Sequence, residues 1–389
     1  MAPLLAAAGA FVVSLDSMMN IAFPAIAAAF AVPPETIQWV IICYTGVYAL
    51  MAFAGGAVAD LVGHVRVFRV GVALTAVVLL AGGLAPSFGW LLAARVLQGV
   101  AGGLVYGTAP GIVTLAAAPE RRGRAIGTLN AGMALGLALG PLPAGVLVEV
   151  LGWPAVYLTL VPIALLVLAF SFAVPGAARR VEGRRLVGVA DVVRAPVPVT
   201  CALAFLSYAA IFSIWLLAPF YLVERRGFGA ALGGAIFTLT PLGTTLAAPI
   251  AGRIADRIGA AAPMIVGLAL EGVGLAILAG ADVMTPVVVV CAALFAAGFG
   301  LGIFQVPMMA RMMAAFPSAL QGAAGGLTLL ARTLGLVSGV FVLAALFAAR
   351  RTVVGFDAAF GDAFVVATLF VAVAVVIAVL GARRRLVSV

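Results

Sequence analysis

The chain has 389 residues, 65% of them hydrophobic and only 9% charged, with 22 basic against 13 acidic residues for a formal net charge of +9. Soluble domains carry about 25% charged residues and no soluble core of this size hides so much apolar surface, so lipid is the expected solvent for most of the chain. Every basic residue is arginine and the only histidine is His64, which excludes a self-contained P-loop ATPase, whose phosphate loop needs a lysine, and leaves no ordinary zinc or haem site.

The apolar runs are long enough for helical spans of about 20 residues and lack the period-two alternation of a membrane barrel. In chain order they predict twelve spans: Leu4–Phe30, Gln38–Leu61, Phe68–Leu84, Trp90–Ala116, Gly127–Leu151, Ala155–Val174, Val197–Leu222, Gly229–Ile254, Pro263–Ala281, Pro286–Met309, Gly322–Ala348 and Ala363–Leu380. No basic residue precedes the first run, which continues past signal-peptide length, so no cleavable leader is expected. The cysteines Cys43, Cys201 and Cys291 lie far apart in apolar segments, which does not fit a disulfide framework.

The longest polar stretch, 176–196, divides the chain into an expected bundle of six helices at 1–175 and another at 197–389. With the N-terminus inside, the inner loops hold sixteen arginines: Arg66, Arg69, Arg121, Arg122, Arg124, Arg179, Arg180, Arg184, Arg185, Arg194, Arg253, Arg257, Arg311, Arg383, Arg384 and Arg385. The outer loops hold four, Arg225, Arg226, Arg350 and Arg351. Positive loops stay inside, so both termini are expected in the cytoplasm. The positive charge then reports topology, and nucleic acid is not expected as a partner.

The two halves repeat a pattern, G-x-x-A-D-x-x-G, at Gly56/Ala59/Asp60/Gly63 and at Gly252/Ala255/Asp256/Gly259, each after the second helix of its half. Paired halves around a central site are a transporter pattern. The repeat resembles the loop motif of the major facilitator superfamily, G-x-L-A-D-R-x-G-R-K. Its second copy keeps Arg253, Asp256 and Arg257; the first has Leu61, His64 and Val65 in place of basic residues but keeps Arg66. LLAARVLQGVAGG resembles the superfamily's fourth-helix motif through Arg95, Gln98 and Gly99, and GLALGPLPAG its antiporter motif through Gly136, Gly140, Pro141 and Gly145. LDSMMNIAFP resembles the first-helix motif of multidrug exporters. Its Asp-to-Asn spacing is one residue shorter, which turns Asp16 by ~100° from that register.

Intramembrane charges are costly and mark function by default. Asp16, near the middle of the first span, is the candidate proton carrier. Arg95 pairs with it, contacts an anionic substrate group, or bonds carbonyls of its glycine-rich helix; a helical wheel leaves these open. Glu271 falls on a helix that resembles a peripheral one and is expected to bond a neighbouring helix or stay protonated. Arg332, among small residues, is expected to pack or gate. The resemblance implies that Asp60, Arg66, Arg253, Asp256 and Arg257 form a cytoplasmic charge clasp; Gly63 and Gly259 permit the chain reversals beside it. Glycines 136, 140 and 145 permit close packing, and Pro141 with Pro143 is expected to kink the fifth helix. Candidate cavity residues are Asn20, Tyr44, Tyr48, Tyr106, Tyr208, Trp215 and Gln305, polar or aromatic groups suited to lipophilic ligands.

These readings converge on an all-α membrane protein of two pseudo-symmetric bundles. It is expected to export small lipophilic compounds against protons by alternating access, as a monomer in the bacterial cytoplasmic membrane. The partners are the bilayer, protons and a small molecule, without a cofactor or metal. A metabolite symporter or facilitator is the alternative within the class; a non-transporting scaffold or sensor is the alternative outside it. No span carries a recognisable nucleophile, base and acid cluster, so an enzyme is not expected.

Overall fold

The computed structural model describes residues 1–117, 122–174, 196–316 and 321–387. The anticipated linker 176–196 falls, but for Pro196, outside the described residues, as do Arg121, Arg179, Arg180, Arg184, Arg185 and Arg194. Among the described residues twelve helical segments are long and apolar enough to cross a membrane. They are α1 Ala2–Ala29, α2 Pro34–Val62, α3 His64–Gly83, α4 Phe88–Val113, α5 Gly127–Leu151 and α6 Pro154–Phe172, followed by α7 Val197–Arg225, α8 Ala230–Ile258, α9 Ala261–Ala279, α10 Val287–Ala314, α11 Ala324–Val354 and α12 Phe356–Ala382. Several run past the apolar stretches that identify them. α3 begins at His64 rather than Phe68, and α7 closes on a π-type turn, Tyr221–Arg225. Backbone hydrogen bonding does not stop where hydropathy falls, because arginine side chains reach back to polar surroundings along their apolar stems.

The chain forms two compact units: Met1–Gly183 with Phe228–Thr238, and Arg184–Gly227 with Leu239–Val389. α8 is divided between them at Thr238. In the first unit α1 is not one helix. A 3-10 turn at Leu15–Ser17 separates Ala2–Ser14 from Met18–Ala29. Three residues wound at three per turn rotate the chain by about 60° more than an α-helix would. Asp16 sits inside that turn.

α5 explains where α1 breaks. It is interrupted at Gly140, between Arg122–Leu139 and Pro141–Leu151. Pro141 has no N–H, so the carbonyl of Leu137, four residues back, loses its helical donor. Ser17 on α1 donates its hydroxyl to that carbonyl at 3.2 Å. The approach needs glycine: a Cβ on Gly136 would stand 2.5 Å from the Phe11 carbonyl oxygen, and one on Gly140 would collide with the Ser17 hydroxyl. In lipid an unsatisfied backbone carbonyl has no water to turn to, so the α5 kink and the α1 turn form one unit of structure.

Glycine also shapes the reversals after α2 and α8. Gly63 ends α2 at φ 103°, and Gly259 ends α8 at φ 81°, a region L side chains avoid. In the second unit the ends of α7, α10 and α11 meet in a small apolar cluster of Val197, Met312, Phe316 and Ala324.

Ser17→Ala is expected to lower stability by about 1 kcal/mol, the cost of orphaning one buried acceptor. In a Pro141→Ala background, where residue 141 regains an N–H for Leu137, the same change is expected to cost clearly less. Thermal unfolding of the four proteins in detergent tests this; equal costs in both backgrounds would refute it.

Candidate functional site

The structure places Asp16 and Arg95 in direct contact. The Arg95 guanidinium reaches both carboxylate oxygens, with Nη1 on Oδ1 and Nη2 on Oδ2, the latter at 3.1 Å. Arg95 is 2% exposed, while the Asp16 side chain is 16% exposed. The arginine makes two further hydrogen bonds: Nε donates to the Val40 carbonyl at 2.8 Å, and Nη1 to Gln98 Oε1 at 3.0 Å. Gln98 closes the ring by donating from Nε2 to Asp16 Oδ1 at 3.0 Å. A buried ion pair repays its desolvation only when remaining donors and acceptors are also filled, and the Val40 carbonyl and Gln98 fill them here.

An aromatic ladder leads away from this pair. The Arg95 guanidinium lies over the Tyr44 ring at 4.4 Å. Tyr44 stacks on Tyr48, 5.9 Å between centroids, and Tyr48 meets Tyr106 edge-on at 5.3 Å. Tyr106 exchanges a hydrogen bond with Ser14, two residues before Asp16, and donates to the Ala10 carbonyl at 3.3 Å. The ladder exists because α2 and α4 touch through glycine: a Cβ on Gly99 or Gly103 of α4 would run into the α2 backbone at Tyr44 and Ala52. A water-sized cavity lined in part by Tyr44, Thr75 and Gln98 lies in the same unit.

The second unit gathers the other cavity candidates. Tyr208 donates to Gln305 Oε1 at 3.0 Å. Tyr208, Phe212 and Trp215 form a stacked row on α7, with centroid distances of 6.2 Å and 5.7 Å. Arg332, expected from sequence to pack or gate, lies over the Tyr208 ring at 4.3 Å. Glu271 is fully buried and accepts from Ser207 of α7 at 2.8 Å. Asn20 is buried and donates to the Ser17 carbonyl on its own helix, so it braces the α1 turn. The structure adds Ser14, Ser17 and Phe212 to the sequence-predicted residues and gives Gln98, a motif residue, a direct place beside Asp16. Their signal is helical spacing: Ser14 and Ser17 flank Asp16, Gln98 follows Arg95 by three, and Phe212 lies four after Tyr208.

The fold has counterparts among known proteins. The family model described as Major Facilitator Superfamily matches residues 5–340 and again 200–387. The chain belongs to the Major Facilitator Superfamily. It is 26% identical to the riboflavin transporter RibZ of Clostridioides difficile over 88% of this chain and 87% of that protein. It is 27% identical to the multidrug resistance protein Stp of Mycobacterium tuberculosis over 88% of this chain and 74% of that one. The crystal structure of the nucleoside transporter NupG superimposes with a TM-score of 0.80, covering 98% of this chain and 100% of the other at 11% identity, which establishes the shared fold. The protein is a membrane transporter rather than an enzyme.

The loop-motif residues of this superfamily member are differently occupied in the two units. Asp60 pairs with His64 across the Gly63 reversal at 3.4 Å, and His64 is buried against Gly111 of α4. Arg66 is exposed. Arg253, Asp256 and Arg257 are exposed, and no ion pair among the described residues joins them. Gly145 takes the Ala230 backbone of the α8 start against α5, where a Cβ would not fit. Glu149 of α5 fastens the same contact by accepting from the Ala231 N–H at 2.9 Å.

Asp16→Asn is expected to cost about 3 kcal/mol, because Arg95 stays charged and loses its counter-ion. Arg95→Gln is expected to cost less, since the Asp16 side chain it leaves unpaired is partly exposed whereas Arg95 is buried. The double change Asp16→Asn/Arg95→Gln is expected to be no worse than Asp16→Asn alone. Thermal unfolding measures all three, and strictly additive losses would refute the coupled pair.

Proposed function

We propose that this transporter exports small lipophilic organic compounds in exchange for protons, by alternating access of two bundles expected at 1–175 and 197–389. The observation that carries the proposal is the Asp16–Arg95–Gln98 ring: a carboxylate with some exposure, bonded to a cation that cannot change its own charge. A proton arriving on Asp16 removes the charge that Arg95 is paired with. Arg95 then keeps the Val40 carbonyl, Gln98 and the Tyr44 ring but no counter-ion, and the ionic part of the tie between the α1 turn and α4 is lost. Because that turn is joined through Ser17 to the α5 kink, protonation acts on helix packing as well as on a local charge. Substrate release would follow from the same event, which is how a local charge change drives a bistable element.

Similarity to Stp, named a multidrug resistance protein, supports the export direction. The Gly140–Pro141 break supports exchange, since a tightly packed kink limits leakage as bundles move. Asp60, Arg66, Arg253, Asp256 and Arg257 are assigned to gating in this scheme, with both termini cytoplasmic, the protein monomeric and the location the bacterial cytoplasmic membrane. Similarity to RibZ, named a riboflavin transporter, favours a second reading, uptake of a flat metabolite.

Purified protein in liposomes with an imposed pH gradient separates the two. Lipophilic dyes are expected to move against proton flow, and Asp16→Asn is expected to reduce gradient-driven movement at least tenfold. Dye movement indifferent to the gradient would overturn proton exchange. Accumulation of riboflavin along an inward proton gradient would establish uptake instead.

A further inference from the structure

The two intramembrane arginines are not equivalent. Arg95 has a carboxylate; Arg332 has none. Among the described residues no acid lies within ion-pair distance of Arg332, its Nε is buried without a hydrogen-bond partner, and its one described contact is the Tyr208 ring at 4.3 Å. Glu271, the acid of the neighbouring α9, accepts from Ser207 and forms no ion pair with Arg332, while Asp357 and Asp362 lie at the opposite end of α11, paired with Arg225 and Arg350. An unpaired cation inside a span is expensive, and it is tolerated where it faces a partner that comes and goes.

The surroundings define that partner. Arg332 is partly exposed. It is held in place by glycine: Gly335 and Gly339, on the same face of α11 one and two turns on, bring that helix onto the α7 backbone at Phe205 and Ala209, where a Cβ would not fit. Tyr208, between those contacts, receives the guanidinium on its face and fixes Gln305 by its hydroxyl. With Gln305 Oε1 occupied, its amide N–H groups have no partner among the described residues. Tyr208, Arg332 and Gln305 lie roughly 10–17 Å along their helices from Val197, Ala324 and Met312, where the helix ends meet, and the Tyr208 contacts to both others bring them together. Beside them runs the row Tyr208–Phe212–Trp215, in which Phe212 is partly exposed. Two sets of unfilled donors next to an aromatic row that is partly exposed at Phe212 fit an acceptor-only, negatively charged group carried on a flat ring.

We propose that Arg332 and Gln305 form an anion subsite, and that the substrates of this transporter include flat aromatic acids whose carboxylate completes the missing ion pair while the ring packs against the exposed part of Phe212. The proposal rests on the transport function and names a substrate class for it. It makes the second unit the one that senses substrate charge and leaves the Asp16–Arg95 pair to protons.

Isothermal titration of the purified full-length protein in detergent, without any gradient, compares 2-naphthoate with 2-naphthamide, which share a ring and differ in charge. The acid is expected to bind at least tenfold more tightly than the amide. Arg332→Gln is expected to erase that preference while leaving naphthamide affinity within about twofold, and Phe212→Ala to weaken both ligands together. Equal affinities for acid and amide in the wild type, no binding of either, or a preference that survives Arg332→Gln would each overturn the subsite. Should Arg332→Gln fail to fold, Gln305→Leu serves instead and is expected to narrow the preference at least threefold; an unchanged ratio counts against the proposal. Glu271→Gln is expected to leave the ratio unchanged, and a lost preference there would make Glu271 the acid that governs Arg332. Protein that selects the acid but moves no dye against protons overturns the export proposal alone. Protein that moves dye but ignores ligand charge overturns the subsite alone.

Discussion

The Arg95 guanidinium ties three helices of the first unit together. It binds the Asp16 carboxylate of α1 and the Val40 carbonyl and Tyr44 ring of α2, and it shares Gln98 of its own helix α4 with Asp16. An arginine keeps its charge in any surroundings, so in a region that water does not reach it must be surrounded by acceptors or be expelled. Much of the local architecture follows from that demand. α2 has to come close to α4, which the glycines of α4 permit, and α1 has to present Asp16 at the right angle, which the 3-10 turn provides.

The second constraint is backbone satisfaction. Pro141 leaves the Leu137 carbonyl without its helical donor, and Ser17 supplies one. This joins the kink in α5 to the turn that carries Asp16, so two features that look separate in the sequence are one mechanical element. A charge change at Asp16 therefore has a route into helix packing that does not depend on long-range electrostatics.

The two units use the same materials differently. Each has an intramembrane arginine lying over a tyrosine, Arg95 over Tyr44 and Arg332 over Tyr208. Among the described residues only the first has a carboxylate in reach. The repeated sequence pattern extends to the reversals at Gly63 and Gly259 but not to the charge balance inside the spans. Where the first unit is internally neutralised, the second has unfilled donors beside an aromatic row, and a division of labour between proton and substrate follows from that difference.

By itself the sequence determined that this is a helical membrane protein of twelve spans, because an excess of apolar residues in runs of sufficient length has no other solution in lipid. It also fixed the superfamily, through motifs whose glycines, prolines and charges sit at set intervals, and it singled out Asp16 and Arg95, because charge inside an apolar run stands out. Only the tertiary structure decided that those two meet. A helical wheel gives the direction of a side chain on its own helix, not the distance to the next one, and the 3-10 turn that reorients Asp16 is held both by Asn20 of its own helix and by the Ser17 contact with α5. The same holds for Arg332, which reads as a packing residue among glycines until α7 is seen to place Tyr208 beneath it and no acid beside it. Which charges are paired is a property of helix neighbours, and neighbours are chosen by close packing across the whole fold.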